Sequence, residues 1–168
     1  MNGKKSWQGS IRDFVLPRFD RVMIIRLLVT AAVAGFFFLL FTPCVISGSS
    51  MEPSWHDGSI TLSFRLRYLF SKPARGDVVT ISFFGKKKLL KRVVALPGDV
   101  VEFRNGRLFV NGEIQKEPYV KNPCSWSMDP VEVQPGYCFV VGDNRDQAMD
   151  EHLFGEVLQS RISGGVLF

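Results

Sequence analysis

The chain has 168 residues, 46% of them hydrophobic and 22% charged, and its 21 Lys and Arg against 16 Asp and Glu give a formal charge of +5. That composition excludes a disordered or collagen-like chain and fits one globular domain with an appendage. Six of the basic residues precede Ser47, whereas beyond it fifteen basic residues meet fourteen acidic ones, so a nucleic-acid-binding role is not expected.

Residues 1–21 form a basic arm, with Lys4, Lys5, Arg12, Arg18 and Arg21 against Asp13 and Asp20. From Val22 to Ile46 the sequence is apolar apart from Arg26, Thr30, Gly35, Thr42 and Pro43. As a helix this stretch is long enough to cross about 30 Å of hydrocarbon, which predicts one transmembrane anchor over residues 22–46. No Ala-x-Ala site follows it, which favours an uncleaved anchor over a secretory signal that is removed. A short positive flank stays cytoplasmic, so the arm is expected inside and residues 47–168 outside, with the lipid bilayer as a partner.

Beyond the anchor the chain reads as short strands joined by tight turns. Gly76-Asp77 precedes Val78–Phe83, Pro97-Gly98-Asp99 precedes Val100–Phe103, Asn105-Gly106 separates two alternating runs, and Pro135-Gly136 introduces Tyr137–Val141. These are hairpin and strand signals, and they predict a mostly β outer domain with helix confined to the anchor and short connectors. Cys124 and Cys138 both fall in this domain. An exported compartment permits them to bond, but two unpaired buried thiols fit the spacing equally well.

Three features carry chemistry. Ser50 lies in Ser47-Gly48-Ser49-Ser50-Met51-Glu52-Pro53, a small-residue turn just past the apolar span where a hydroxyl can be presented to a substrate. Lys91 lies in Leu89-Leu90-Lys91-Arg92-Val93-Val94. In a strand it shares a face with Leu89 and Val93, and apolar burial of that kind holds an amine neutral and able to take a hydroxyl proton. The third feature is the acidic and amide-rich turn Gly142 to Asp150, from which Asp143 or Asp150 could bond Arg92 or Arg145 and fix the strand bearing Lys91. Neither His56 nor His152 suits a serine triad, and with two histidines and scattered cysteines neither a metal site nor a cofactor is expected.

Taken together these residues resemble the type I signal peptidases, membrane-bound serine proteases with a Ser/Lys dyad. The resemblance rests on the anchor, Gly48-x-Ser50-Met51-x-Pro53, Arg75-Gly76-Asp77-Val78-Val79, Lys91 to Asp99, Val110-Asn111-Gly112 and Gly142-Asp143-Asn144-Arg145, in that order. It implies an extracytoplasmic β domain of the signal-peptidase and LexA-like kind. It also implies Ser50 as nucleophile, Lys91 as general base, and Arg92 and Asp150 as ion-pair partners beside them, with the amide of Ser50 as oxyanion donor. The family prefers small side chains one and three residues before the cut, and Ile46, Ile81, Leu89 and Leu90 are the candidate pocket residues. The chain departs from the family at Ala148, where a serine usually bonds the lysine, and at His152, a frequent arginine.

The implied activity is removal of signal peptides from exported preproteins at a bacterial cytoplasmic membrane, beside a secretion translocon. A dedicated peptidase for conjugative prepilin is the nearer alternative, and a non-catalytic anchored β module the more distant one.

Overall fold

The computed structural model describes residues 20–83, 88–148 and 155–166. They fall into two units, one ending at Leu39 and one running from Leu40 onward. The first is the helix α1, Arg21–Leu40, apolar apart from Arg21, Arg26 and Thr30 and with no buried residue. Asp20 caps it, its Oδ1 accepting the Met23 N–H at 2.8 Å. Twenty residues at 1.5 Å each give about 30 Å, the thickness of a bilayer's hydrocarbon.

The helix does not run to Ile46 as the hydropathy predicts. It ends at Leu40, and Phe41–Val45 form an edge strand, β1, that pairs antiparallel with β2, Ile60–Phe64. Pro43 is the physical reason: it disfavours helix at Thr42 and removes a helical donor, whereas an edge strand tolerates the missing N–H. Phe41 and Phe64 face each other across the pair with ring centroids 5.3 Å apart.

The second unit is two antiparallel sheets. Its remaining strands are β3 (Val78–Ser82), β4 (Lys88–Ala95), β5 (Val100–Arg104), β6 (Arg107–Val110), β7 (Glu113–Ile114), β8 (Met128–Glu132), β9 (Tyr137–Val141), β10 (Gly155–Leu158) and β11 (Ile162–Val166). Seven strands run in the order β1-β2-β11-β3-β4-β9-β10, and four in the order β7-β6-β5-β8. The domain is mostly β, and β3, β5, β6 and β9 lie where the turn signals place strands. Asn105 and Gly106 turn the β5–β6 hairpin with φ of 49° and 75°, and a Cβ at Gly106 would lie 2.1 Å from the carbonyl oxygen of Cys124.

The acids of the Gly-Asp turns staple the loops that precede strands. Asp77 accepts hydrogen bonds from Arg67, Tyr68 and the Ala74 N–H, and Asp99 accepts from Arg75, Asn111 and the Leu96 N–H. One apolar core joins the two sheets through Val94, Ala95, Val141, Phe139, Val101, Phe103 and Leu108. A second, on β3, β4 and β9, holds Val79, Ile81, Val93, Cys138 and Val140. Each such side chain contributes about 1.5–3 kcal/mol of transfer free energy. Cys124 sits in the first core and Cys138 in the second, both buried and unbonded, so the disulfide alternative does not hold.

Candidate active site

Lys91 stands in the middle of β4, opposite Val79 on β3, and is 2% exposed. Strand alternation puts it on the side of Leu89 and Val93, among the second core, with Leu90 and Arg92 on the other face. Among the described residues nothing bonds its Nζ. Burial pushes its pKa down from 10.5 to about 8, and the Asp143 carboxylate opposes that only in part.

Arg92, the next residue, has a well-defined partner. Its Nε and Nη2 donate to the two Asp143 oxygens at 2.8 and 2.6 Å, its Nη1 donates to the Gly76 carbonyl at 2.8 Å, and its guanidinium lies 3.8 Å from the centre of the Tyr119 ring. Burial works against the Arg92 charge, but the bonded Asp143 carboxylate more than offsets it and raises the pKa further.

Asp143 has a second role, because the Ser54 hydroxyl also donates to it at 2.5 Å. Strand β9 ends at Val141, opposite Arg92, so the flank of β4 beside Lys91 is taken by the turn that follows. Asn144 in that turn donates its N–H to the Ser50 carbonyl at 3.1 Å and its Nδ2 to the Ser49 carbonyl at 3.1 Å. Gln147 adds a bond to the Ser49 hydroxyl at 3.3 Å. Met51, 1% exposed, packs with Val78, Val166 and Leu90. The serine loop is thus pinned on one side by the 142–147 turn and on the other by an apolar plug next to Lys91.

Two cavities open here. Ser50 lines one of about 60 Å³ with Ile46, Leu89, Leu90 and Thr80. Lys91 lines another of about 320 Å³ with Ile81, Leu89 and Val140. Leu89 belongs to both. No hydrogen bond joins the Ser50 hydroxyl to the Lys91 amine among the described residues. Of the four pocket candidates, Ile46, Leu89 and Leu90 lie with the serine, and Ile81 lies with the lysine. The Ser50 N–H has no acceptor among the described residues, while the Gly48 N–H is taken by Asp57 at 2.8 Å.

Among the described residues Arg145 pairs with no acid of its own turn. Its Nη atoms donate to Glu117 at 2.9 and 2.5 Å and its Nε donates to the Gly142 carbonyl, so it shapes the turn from inside the core at 1% exposure. Glu117, Tyr119 and Ser54 are the contributors that the sequence reading missed; nothing in their local spacing signals a partner many residues away. Asp150 and His152 lie outside the described residues.

Residues 19–168 match the signal peptidase family, peptidase S26, and the chain belongs to that family. It is 30% identical to signal peptidase I of Bacillus licheniformis over 158 residues, 86% of this chain and 82% of that one. It is 35% identical to thylakoidal processing peptidase 1 of Arabidopsis thaliana over 141 residues, 77% of this chain, but it spans only about two-fifths (42%) of that protein's length. The crystal structure of a signal peptidase I from Enterococcus faecalis V583 aligns with a TM-score of 0.48 and 29% identity, covering 58% of this chain and 98% of that one.

Proposed function

We propose that this protein is a membrane-anchored serine endopeptidase that removes signal peptides from preproteins, with Ser50 as nucleophile and Lys91 as general base. The observation that carries this reading is a lysine 2% exposed in an apolar strand setting, with no bonded counter-charge among the described residues and a pKa near 8, on the strand whose Leu89 and Leu90 line a cavity with Ser50. At pH 7 about one such amine in ten is neutral, far more than for an ordinary lysine.

Lys91 Nζ takes the Ser50 proton as Oγ attacks the scissile carbonyl carbon, and the Ser50 N–H steadies the oxyanion. The lysine ammonium then returns that proton to the leaving nitrogen as the C–N bond breaks. Water, activated by the same amine, hydrolyses the acyl-enzyme. Catalytic hydrogen bonds tighten in the substrate complex, and the Oγ–Nζ gap closes at that stage. The cavity of about 60 Å³ beside Ser50 suits a small side chain before the cut. Arg92, Asp143 and Arg145 hold the framework.

Helix α1 supplies the anchor as a single pass, with the basic arm on the cytoplasmic side of a bacterial inner membrane and the β domain outside, beside the translocon. The tripartite organisation is then an arm, an anchor ending at Leu40, and a catalytic domain beyond it. Incubation of the full chain with a generic preprotein and with a prepilin tests the reading. Cleavage of the preprotein, lost in both Ser50→Ala and Lys91→Ala, is the expected outcome; cleavage of prepilin alone would narrow the substrate class, and undiminished activity in either variant would refute the dyad.

A further inference from the structure

On the reading that Ser50 and Lys91 form the dyad, we infer that Asn144 is the positioning residue of the oxyanion site: it grips the carbonyls on both sides of the nucleophile's α-carbon and so aims the Ser50 N–H at the substrate.

The peptide plane that carries this N–H is held from its other end. The Ser49 carbonyl accepts two hydrogen bonds, one from the Asn144 Nδ2 at 3.1 Å and one from the Glu52 N–H at 3.1 Å that closes a turn over residues 49–52. The Ser49–Ser50 bond is trans, so its carbonyl and its N–H point in opposite directions. Holding the carbonyl toward Asn144 therefore turns the Ser50 N–H away from Asn144. The next plane is held as well, because the Asn144 N–H donates to the Ser50 carbonyl at 3.1 Å. One residue thus fixes both peptides that flank the nucleophile.

Asn144 is itself aimed. Its Oδ1 accepts the Asp146 N–H at 3.2 Å, which presents the Nδ2 to the serine turn, and Gln147 steadies the same turn through the Ser49 hydroxyl at 3.3 Å. Asn144 also approaches from a different side than a substrate would. It lines a cavity of about 240 Å³ with Glu52, Asp143 and Arg145, and no residue of that cavity lines the one of about 60 Å³ at Ser50. A donor that must meet charge only as it develops has to be oriented beforehand, and this is how the turn after β9 orients it.

The experiment measures kcat and KM of the full chain for a signal-bearing preprotein, and inhibition by a peptide aldehyde and by the matching peptide alcohol. Only the aldehyde reacts: its carbonyl carbon bonds Ser50 Oγ, the carbonyl oxygen becomes an oxyanion, and the hydroxyl proton passes to Lys91. Asn144→Ala should lower kcat about tenfold, and Asn144→Asp, which keeps the shape and the Oδ1 bond but sets a carboxylate oxygen against the Ser49 carbonyl, about a hundredfold, the scale of a misplaced oxyanion donor. Aldehyde inhibition should weaken in step, while KM, inhibition by the alcohol and the pH midpoint of kcat/KM in Asn144→Ala stay as in the unsubstituted protein. Undiminished kcat in Asn144→Asp overturns the assignment. So do equal losses for aldehyde and alcohol, which mark a general loss of shape, and a shifted pH midpoint in Asn144→Ala, which places the effect on the lysine. Ser50→Ala run alongside should cleave nothing; residual cleavage there refutes the dyad, whereas an inactive Ser50→Ala beside fully active Asn144 variants refutes this assignment alone.

Discussion

Arg92 and Asp143 form a bidentate pair, Nε to Oδ1 at 2.8 Å and Nη2 to Oδ2 at 2.6 Å, that ties the strand bearing Lys91 to the turn holding Ser50 in place. Asp143 is fully buried and the Arg92 side chain is 11% exposed. Breaking a buried pair on one side leaves an uncompensated charge, at a cost of about 3–5 kcal/mol. Asp143→Ala should therefore lower the unfolding free energy measured in urea by that much, with a matching fall in the midpoint. Arg92→Lys should fall in between, because an ammonium cannot make the forked contact. A midpoint unchanged in Asp143→Ala would show that the pair does not join the two elements.

Lys91 links stability to pH in the reverse sense from a salt-bridged lysine. Its folded pKa of about 8 lies below the ordinary 10.5, so between those values the unfolded chain binds more protons and stability rises with pH. Below pH 8 both states are protonated, and the folded state bears the full cost of burying the charge, about 3 kcal/mol by the size of the shift. Lys91→Met should accordingly stabilise the protein at pH 7, with the gain fading by pH 10.5, while abolishing cleavage. Denaturant midpoints at the two pH values check this, and a loss of stability at pH 7 would contradict the uncompensated burial of the amine.

Cys124 and Cys138 are free and sit in separate cores, and burial pushes the Cys138 thiol up to about 11. Iodoacetamide should leave both unlabelled in the native protein and modify both in urea without prior reduction, read by peptide mass. A requirement for reductant would reveal a bond that the fold does not contain.

Gly106 tests the hairpin. Its φ of 75° and the 2.1 Å approach of a Cβ to the Cys124 carbonyl leave no room for a side chain. Gly106→Ala should cost roughly 2 kcal/mol or more, well above the effect of an ordinary surface substitution. An unchanged midpoint would mean that the turn adopts another geometry.

Much of this was legible because the strands are bounded by turn residues with a stereochemical reason to be there, as at Asn105-Gly106 and Pro135-Gly136, and because alternation alone puts Lys91 among Leu89 and Val93. The end of the helix was not. Phe41, Cys44 and Val45 are as apolar as the residues before them, and hydropathy does not distinguish a membrane helix from the β1 edge strand that continues it; Pro43 was the local clue. Pairings across long separations, such as Arg145 with Glu117, depend on which strands become neighbours. The division of Ser50 and Lys91 between two cavities that share Leu89 has the same origin, since one is lined from β1, β2, β3 and β4 and the other from β3, β4, β9 and β10.

In the proposed mechanism the amine of Lys91 acts uncharged, and the dependence of kcat/KM on pH for a signal-bearing preprotein reads that state. The rate constant should rise between pH 6 and 9 with a midpoint near 8 and a plateau above, reporting the free enzyme's lysine. A profile flat across that range would rule out a neutral Lys91 as the base.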